Sequence, residues 1–416
     1  MSVDQFFLSA DTTDLNYPDV RPTLDLNFAR TKTLDPRITF TRASGGSYVG
    51  ADGLIKYAGV NEARFDHDPD TGESLGLLIE ESRQNLVGSS EELDTGWGLS
   101  NIKTFGSGSV TNATEAPDGR FTADLITETL DTSNTQHTVT QSINVTSGSV
   151  YTVSIFAKLP IGSTRQLLIL VANTNFTITP SAIFDLSNGS VTSSNNGNAS
   201  VVPYANGWYR LILTTIPATS SGLNGFIFRL YDGSSNSTVY LGDGTSGIYL
   251  WGAQVEAGSF PTSYIPTQGS TRTRAADNAV ITGKNFSDFY RQDEGTVFAE
   301  ANGSGPLITP RATASAVDRI QLAIGISAVV ASGSVEAGFG NTTAAKRVLS
   351  YKANNTNAAF DGVTGVNDTS CAIPSVDYAT IGYFDFGGAS RINGAIKRIT
   401  FWPQRLPDST LKAITR

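Results

Sequence analysis

Residues able to act as nucleophiles or metal ligands are few in this chain and lie far apart in the sequence. The 416 residues include two histidines, His67 and His137, and one cysteine, Cys371. A Ser-His-Asp triad would have to use one of these histidines, but no Gly-x-Ser-x-Gly turn leads into a helix. Zinc requires several closely spaced ligands, which this set does not supply. We therefore expect no catalytic triad and no metal site, and Cys371 is predicted to be a small core residue.

The segment closest to a calcium-binding loop is the acidic stretch from Asp66 to Glu73. Its aspartates alternate with other residues, as they do at the start of an EF-hand loop. The pattern then fails, because Gly72 comes one position late and Leu77 occupies the place of the final glutamate. We interpret the stretch as a solvated turn. No cofactor is expected, and a structural calcium ion stays open without assignable ligands.

Carboxylates are abundant enough that glycoside hydrolysis has to be considered. Hydrolysis needs two carboxyl groups about 5–9.5 Å apart that face one sugar. The chain has 38 aspartates and glutamates, so the sequence alone leaves such a pair open. The adjacent pairs Glu80-Glu81 and Glu91-Glu92 are poor candidates, because neighbours on a strand point to opposite faces. We predict that they are surface charge.

Sugar binding needs no reactive group. It needs aromatic rings that stack on sugar C–H faces and polar side chains that bind hydroxyl groups. The candidate residues are Trp97, Trp208, Tyr209 and Tyr231. Trp97 follows Asp94-Thr-Gly in a predicted loop and is expected to be exposed. Trp208 and Tyr209 begin a predicted strand, where ligand stacking and core packing both stay open.

The elements that would position these residues are strands joined by tight turns. Hydrophobic residues make up 39% and charged residues 16% of the chain, which also contains 41 glycines. Glycine accepts the positive φ that tight turns need, so this composition is typical of short, densely connected strands. Alternation over 151–158 and the apolar run over 166–171 predict strands of an antiparallel sandwich. A short helix is predicted to follow Asp408.

The predicted fold class is all-β, in three parts. An N-terminal arm with a small β region spans residues 1–90. One antiparallel β-sandwich of the jelly-roll type spans 91–270, and a second sandwich spans 271–416. The second boundary falls on the polar connector from Thr271 to Asp277.

Charge and hydropathy exclude two classes of partner. The net charge of −9 and a pI near 4.8 argue against nucleic-acid binding, which needs a basic surface. The N-terminus lacks a basic region followed by an apolar run, so no signal peptide is predicted. No window approaches the roughly 18 apolar residues of a membrane span, so no membrane insertion is expected.

Two stretches carry a resemblance to a known group of proteins. Both resemble the closing strands of a jelly-roll domain. The first stretch is Asn206-Gly-Trp-Tyr-Arg-Leu211, and the second is Tyr249-Leu-Trp-Gly-Ala-Gln-Val-Glu-Ala-Gly-Ser-Phe-Pro-Thr-Ser-Tyr-Ile-Pro-Thr267. That domain is the carbohydrate-binding-module-like domain of many bacteriophage virion proteins. Residues 393–402 and the predicted helix are similar to the end of a concanavalin A-like or laminin-G-like domain.

The first 90 residues extend this resemblance. The motifs, which occur in the order found in the same phage structural proteins, are Leu34–Ser44, Ala51-Asp-Gly-Leu-Ile-Lys56, Asn61-Glu-Ala-Arg-Phe-Asp66, Gly76-Leu-Leu-Ile-Glu-Glu81 and Asn85-Leu86. The resemblance therefore covers nearly the whole chain.

The resemblance implies a structural protein of the bacteriophage virion, not an enzyme. It would form an exposed tail fibre, head fibre, spike or other appendage that acts in receptor binding by adhering to polysaccharide on the host cell surface. Phage appendages are usually homotrimers, and this one would be assembled in the host cytoplasm. The N-terminal arm would anchor it to other virion proteins through Phe6, Phe7, Tyr17, Pro18 and Pro22.

Two alternatives stay open. The protein could be a head-decoration or tail accessory protein whose lectin-like domains no longer bind sugar. It could also be a polysaccharide depolymerase, although the long repetitive ladders of the usual β-helical depolymerases are absent from the sequence.

Overall fold

A computed structural model describes residues 18–315, 317–341, 344–385 and 389–416. Within these ranges the fold is all-β, as predicted. The helices found there are short: α1 (Phe28–Thr31), α2 (Lys284–Ser287) and α3 (Asp408–Ile414). The predicted terminal helix is therefore present, and it covers Trp402 with Leu406 and Leu411.

The strands fall into three groups along the chain. The first group is β1 (Leu24–Asn27), β2 (Thr39–Thr41), β3 (Gly46–Val49), β4 (Ile55–Ala58), β5 (Phe65–His67), β6 (Ser74–Ile79) and β7 (Arg83–Asn85). The second group is β8 (Gly98–Ser100), β9 (Val110–Glu115), β10 (Phe121–Thr127), β11 (His137–Val145), β12 (Tyr151–Lys158), β13 (Gln166–Val171), β14 (Ser181–Asp185), β15 (Ser190–Asn195), β16 (Gly197–Tyr204), β17 (Trp208–Thr215), β18 (Gly222–Tyr231) and β19 (Gly247–Ala257). The third group is β20 (Arg272–Arg274), β21 (Asn278–Thr282), β22 (Glu294–Ala301), β23 (Gly305–Arg311), β24 (Arg319–Ala331), β25 (Ser334–Asn341), β26 (Lys346–Lys352), β27 (Asn357–Phe360), β28 (Val363–Thr364), β29 (Tyr378–Ile381), β30 (Tyr383–Asp385), β31 (Ala389–Arg391) and β32 (Gly394–Trp402).

The second group of strands forms the first sandwich from two antiparallel sheets. The inner sheet has the order β16-β17-β12-β19-β10-β9, and the outer sheet has the order β15-β14-β13-β18-β11-β8. Alternate residues of both sheets meet in one apolar core, for example Val153, Ile169 and Phe228. Burial of such side chains contributes about 1.5–3 kcal/mol each, which explains why the alternation in the sequence predicts the sandwich.

The second sandwich recruits strands from the start of the chain. Its sheets have the orders β28-β27-β26-β22-β32-β6-β5 and β2-β21-β29-β23-β24-β25, and β1 pairs with β32 beside β6. Leu24, Leu26 and Leu77 lie in the same core as Ile399 and Phe401. The sequence predicts a small β region of its own over 1–90, whereas four of its strands complete the C-terminal sandwich. Strands of three to six residues bury too little surface alone, and long-range pairing supplies the missing partner.

A hairpin of β3 and β4 covers the inner sheet of the first sandwich. The Asp52-Gly53 turn lies between the two strands. Ile55 of this hairpin packs with Phe156, Trp208 and Trp251 on the face of the inner sheet that points away from the core. Strand β12 is consequently buried on both faces, although the alternation in its sequence is typical of a strand with one exposed face.

Five charged residues form a buried ion cluster where the N-terminal strands meet both sandwiches. Arg42 Nη1 lies 3.0 Å from Asp277 Oδ1, and Arg64 Nη1 lies 2.7 Å from Glu80 Oε2. Arg64 also pairs with Asp277, and Arg274 lies 3.5 Å from Glu80. The prediction that Glu80 is surface charge is wrong, because its carboxylate is enclosed among these arginines. A buried carboxylate is tolerated only when it is paired in this way.

The cluster makes the contribution of Glu80 to stability depend on pH. Burial alone would raise the pKa of Glu80, but Arg274, Arg64 and hydrogen bonds from Ser263 outweigh burial and lower that pKa to about 2. Because the pKa of Glu80 is lower in the folded protein, the ionised carboxylate stabilises the fold at pH values above its unfolded pKa of about 4.5. This stabilisation is lost as the pH falls toward 2. We expect the unfolding free energy of Glu80→Gln to approach that of the wild type by about 3 kcal/mol between pH 6 and pH 2. Urea titrations at several pH values measure this, and a difference independent of pH would contradict it.

The described part of the predicted arm lies against the C-terminal sandwich. Pro18 and Pro22 are half-buried, and Val20 between them packs against the Trp402 cluster. Phe6, Phe7 and Tyr17 lie outside the described residues. In the described ranges, the helices are all too short or too polar to cross a membrane.

Candidate functional site

An open groove lies between the β3–β4 hairpin and the first sandwich. Two adjoining cavities of about 260 and 590 Å³ form it, and they share Tyr57, Pro266 and Arg272 as walls. The larger volume is in the range of small-molecule sites, about 300–1,000 Å³. We call this the Tyr57 groove, and its main polar walls are Tyr57, Glu91, Glu92, Arg120, Gln268 and Arg272.

The aromatic wall of the groove is Tyr57, which the hairpin projects between the two cavities. The residue is 44% exposed, although its neighbour on the same strand, Ile55, is buried. Its hydroxyl donates to Asp118 Oδ2 at 3.2 Å. Burial of the hydroxyl and the nearby Asp118 and Glu91 carboxylates raise the pKa of Tyr57. The hydrogen bond to Asp118 holds the ring in place, and the ring offers part of its surface to the groove.

Arg120 lines the groove and pairs with two acidic residues, of which Glu91 also lines the groove. It follows the tight turn 116–119 and lies 2.6 Å from Asp118 and 3.2 Å from Glu91 through Nη2. Its guanidinium carbon lies 5.7 Å from the centre of the Tyr57 ring, within cation–π range. Burial would lower the pKa of Arg120, but the Asp118 hydrogen bond and the Glu91 charge outweigh burial and raise that pKa. The guanidinium therefore stays charged and fixed.

Glu91 is a partly buried acid of the groove that accepts a hydrogen bond from a tyrosine. Its Oε1 accepts a hydrogen bond from the Tyr264 hydroxyl at 3.0 Å. Burial raises the pKa of Glu91, and Arg120 and Tyr264 only partly oppose this. At the rim, Gln268 donates to Glu92 at 3.3 Å. Carboxylate, guanidinium, amide and ring surface therefore converge, which is the combination that binds a polar ring with many hydroxyl groups.

The predicted sugar-stacking residues lie elsewhere and do not form one site. Trp97 is 8% exposed, donates to the carbonyl of Ser89 at 2.9 Å and packs on Phe228 in the core. The expectation that Trp97 is exposed is wrong, because its indole N–H finds a backbone partner inside the sandwich. Trp208 is buried on the opposite face of the inner sheet and donates to the carbonyl of Glu115 at 3.1 Å.

The two tyrosines of that set are also separated. Tyr209 points to the other side of β17 from Trp208 and packs partly buried against the first core. Tyr231 ends β18 and is buried, with its hydroxyl donating to Asn236. Neither tyrosine lines the Tyr57 groove. Sugar stacking by Tyr209 stays a prediction.

Tyr57, Arg120 and Gln268 are not among the residues predicted from the sequence. Tyr57 lies in a short strand beside Lys56 and gives no signal in the sequence that distinguishes it from other strand residues. Arg120 and Gln268 carry no local signal, because the groove forms from separate segments that lie between residues 57 and 272. No group of three or more His, Cys, Asp or Glu side chains that could hold a metal ion occurs in the described ranges.

The sequence matches no protein-family model and no curated protein. Among solved structures, a protein described as sugar-binding from Bacteroides thetaiotaomicron VPI-5482 is 9% identical, with 42% of this chain and 95% of that chain covered and a TM-score of 0.22. The tandem CBM22 domain of Paenibacillus barcinonensis Xyn10C is 11% identical over 78% and 97%, with a TM-score of 0.27. The sialidase of Trypanosoma rangeli is 12% identical over 70% and 60%, with a TM-score of 0.24. TM-scores this low do not establish a common fold.

Proposed function

We propose that this protein is a bacteriophage virion component that adheres to host-surface polysaccharide through the Tyr57 groove. The observation that carries the glycan proposal is the half-exposed Tyr57 ring beside the fixed Arg120 guanidinium and the rim amide of Gln268. The ordered motifs of the first 90 residues support the virion component. Glycan binding fits an open groove whose walls combine polar side chains with the Tyr57 ring.

In this proposal one sugar ring lies against Tyr57 and its hydroxyls bind the groove walls. The Glu91 and Glu92 carboxylates accept from sugar hydroxyls, while Gln268 and Arg272 donate to them. A groove open to solvent binds a chain end or a chain segment with modest affinity. Several copies on one particle would add their contacts, so weak single sites suffice.

Anchoring and assembly complete the proposal. The arm would dock on other virion proteins through Phe6, Phe7 and Tyr17, continued by Pro18 and Pro22, and the appendage would be a homotrimer. The arm's described end reaches the C-terminal sandwich through Val20. Docking would therefore place the first sandwich, with its groove, away from the mount.

Binding by the groove is tested with an array of host-type neutral glycans and the full chain. We expect Tyr57→Ala to weaken the best-bound glycan about tenfold, equal to about 1.4 kcal/mol, because the stacking surface is removed. Tyr57→Phe keeps the ring and is the matched control, with a change below about threefold. Equal affinities of wild type and Tyr57→Ala would contradict the site. Silence of the wild type across the array would favour the alternative of a structural head or tail accessory.

A depolymerase is the second candidate, favoured by the raised pKa of Glu91 in an open groove. A carboxyl group that keeps its proton can act as a general acid. Our proposal expects no release of reducing sugar from host polysaccharide. Release by the wild type that Glu91→Gln abolishes would instead establish hydrolysis.

A further inference from the structure

The outer sheet of the first sandwich has an open face with an arginine at its centre. Strand register places Arg229 of β18 between Leu168 on β13 and Thr138 on β11. Phe228 points into the core, so Arg229 points outward with its neighbour Ile227 two positions before it. Leu168 is only 5% exposed although it faces outward. The arginine stem and the flanking side chains therefore cover it.

Arg229 differs from the arginines that form ion pairs, because it has no partner among the described residues. Arg64, Arg120 and Arg165 all pair with carboxylates. Among the described residues, no hydrogen bond or ion pair reaches the Arg229 guanidinium, and its Nε is buried without a partner. Burial lowers the pKa of Arg229, and no nearby acid opposes that shift. An unpaired, half-buried cation is costly to keep in a protein whose net charge is −9.

The surroundings of Arg229 supply hydrogen-bonding groups and a small apolar surface. Thr138 and Thr140 face outward on β11, opposite Arg229 and Ile227. Gln166 lies in the next row across from Tyr231, and its Oε1 is also buried without a partner. The face thus holds one unpaired donor group, one unpaired acceptor and two hydroxyls around an aliphatic floor.

We propose that this face binds a carboxylate-bearing saccharide, with the acid group on Arg229. A carboxylate matches the planar guanidinium in a bidentate pair, and a neutral sugar leaves that charge unpaired. The sugar C–H groups would lie on Ile227, and sugar hydroxyls would meet Thr140 and Gln166. The inference rests on the proposed glycan adhesion and adds a second site, selective for acidic sugars, to the Tyr57 groove.

The test is calorimetric titration of the full chain with trigalacturonic acid, sialyllactose and a glucuronate disaccharide. Each is compared with its carboxyl-reduced, neutral counterpart. We expect at least one acid probe to bind with a Kd below about 1 mM and at least tenfold more tightly than its reduced form. Arg229→Gln should remove that preference. Arg30→Gln, which removes an exposed arginine from the C-terminal sandwich, is the matched control and should keep it.

Three outcomes would overturn the inference: no acid probe binds, the reduced probes bind equally, or Arg229→Gln binds as the wild type does. A fall in oligomer mass of Arg229→Gln in light scattering, without loss of sugar preference, would assign Arg229 to a contact between copies and also overturn it. Thermal unfolding checks that Arg229→Gln folds. Tyr57→Ala separates the two sites, because it should keep the acidic preference while it binds neutral glycans about tenfold more weakly.

Discussion

Asp277→Ala is expected to destabilise the protein by about 3–5 kcal/mol, the usual cost of removing one partner from a buried ion pair. Asp277 accepts from Arg42 at 3.0 Å and from the backbone N–H of Glu80 at 2.8 Å, and it also pairs with Arg64. Without it, three arginines would share Glu80 as the remaining acid of the cluster. The urea midpoint, followed by tryptophan fluorescence, measures the loss.

A surface pair of similar geometry is the control for this prediction. Lys284 and Asp288 lie 2.7 Å apart with side-chain exposures of 84% and 54%. Exposed pairs contribute about 0–1 kcal/mol, so Asp288→Ala should change stability little. A loss for Asp277→Ala as small as that for Asp288→Ala would show that water reaches the cluster and compensates the arginines.

The ion cluster explains how the chain is organised across long sequence distances. Arg42, Arg64 and Glu80 lie next to the ends of the N-terminal strands β2, β5 and β6, while Arg274 and Asp277 come from the connector between the sandwiches. The charges can be buried only when both segments are in place. The cluster therefore stabilises one relative arrangement of the N-terminal strands and the connector over alternatives that would leave a charge unpaired.

The strands could be predicted from local pattern, whereas their partners could not. The alternation Leu24-Asp-Leu-Asn marks β1 as half-buried, and Asp25 indeed faces outward to Arg398 at 2.8 Å. Nothing within the first 90 residues indicates that β1 and β6 pair with β32, because register between distant segments depends on the whole fold. The prediction that Glu80 is a surface charge is wrong for the same reason, because its partners Arg64 and Arg274 are distant from it in the sequence.

The candidate site was even less accessible to sequence reasoning. Trp97 sits after a polar loop, so its exposure is a sound local expectation, but the loop folds back and Ser89 accepts its N–H. Tyr57 looks like an ordinary strand residue until Arg120 is brought beside it. The aromatic character of a sugar site is visible in sequence, while its exposure is a property of tertiary packing.

Gly76 is the residue on which the seam between the N-terminal strands and β32 depends most closely. Its φ is +93°, a conformation that side-chain-bearing residues rarely adopt. A Cβ there would lie 2.1 Å from the carbonyl oxygen of Ile396 and 2.8 Å from Cα of Lys397. Both obstacles are backbone of β32, so no side chain can turn aside to make room.

Gly76→Ala is therefore expected to cost about 3–5 kcal/mol, the sum of backbone strain and of the separation of β6 from β32. Urea unfolding measures the cost, and hydrogen exchange should show lost protection in β1, β6 and β32 while the first sandwich keeps its protection. Gly106→Ala is the matched control, because Gly106 has a φ of +80° and open space around its Cβ position. Strain alone costs about 1–2 kcal/mol there. Equal decreases in unfolding free energy for the two variants would mean that the close contact between Gly76 and β32 does not contribute to stability. The N-terminal strands would then be stabilised by their apolar side chains in the core of the second sandwich.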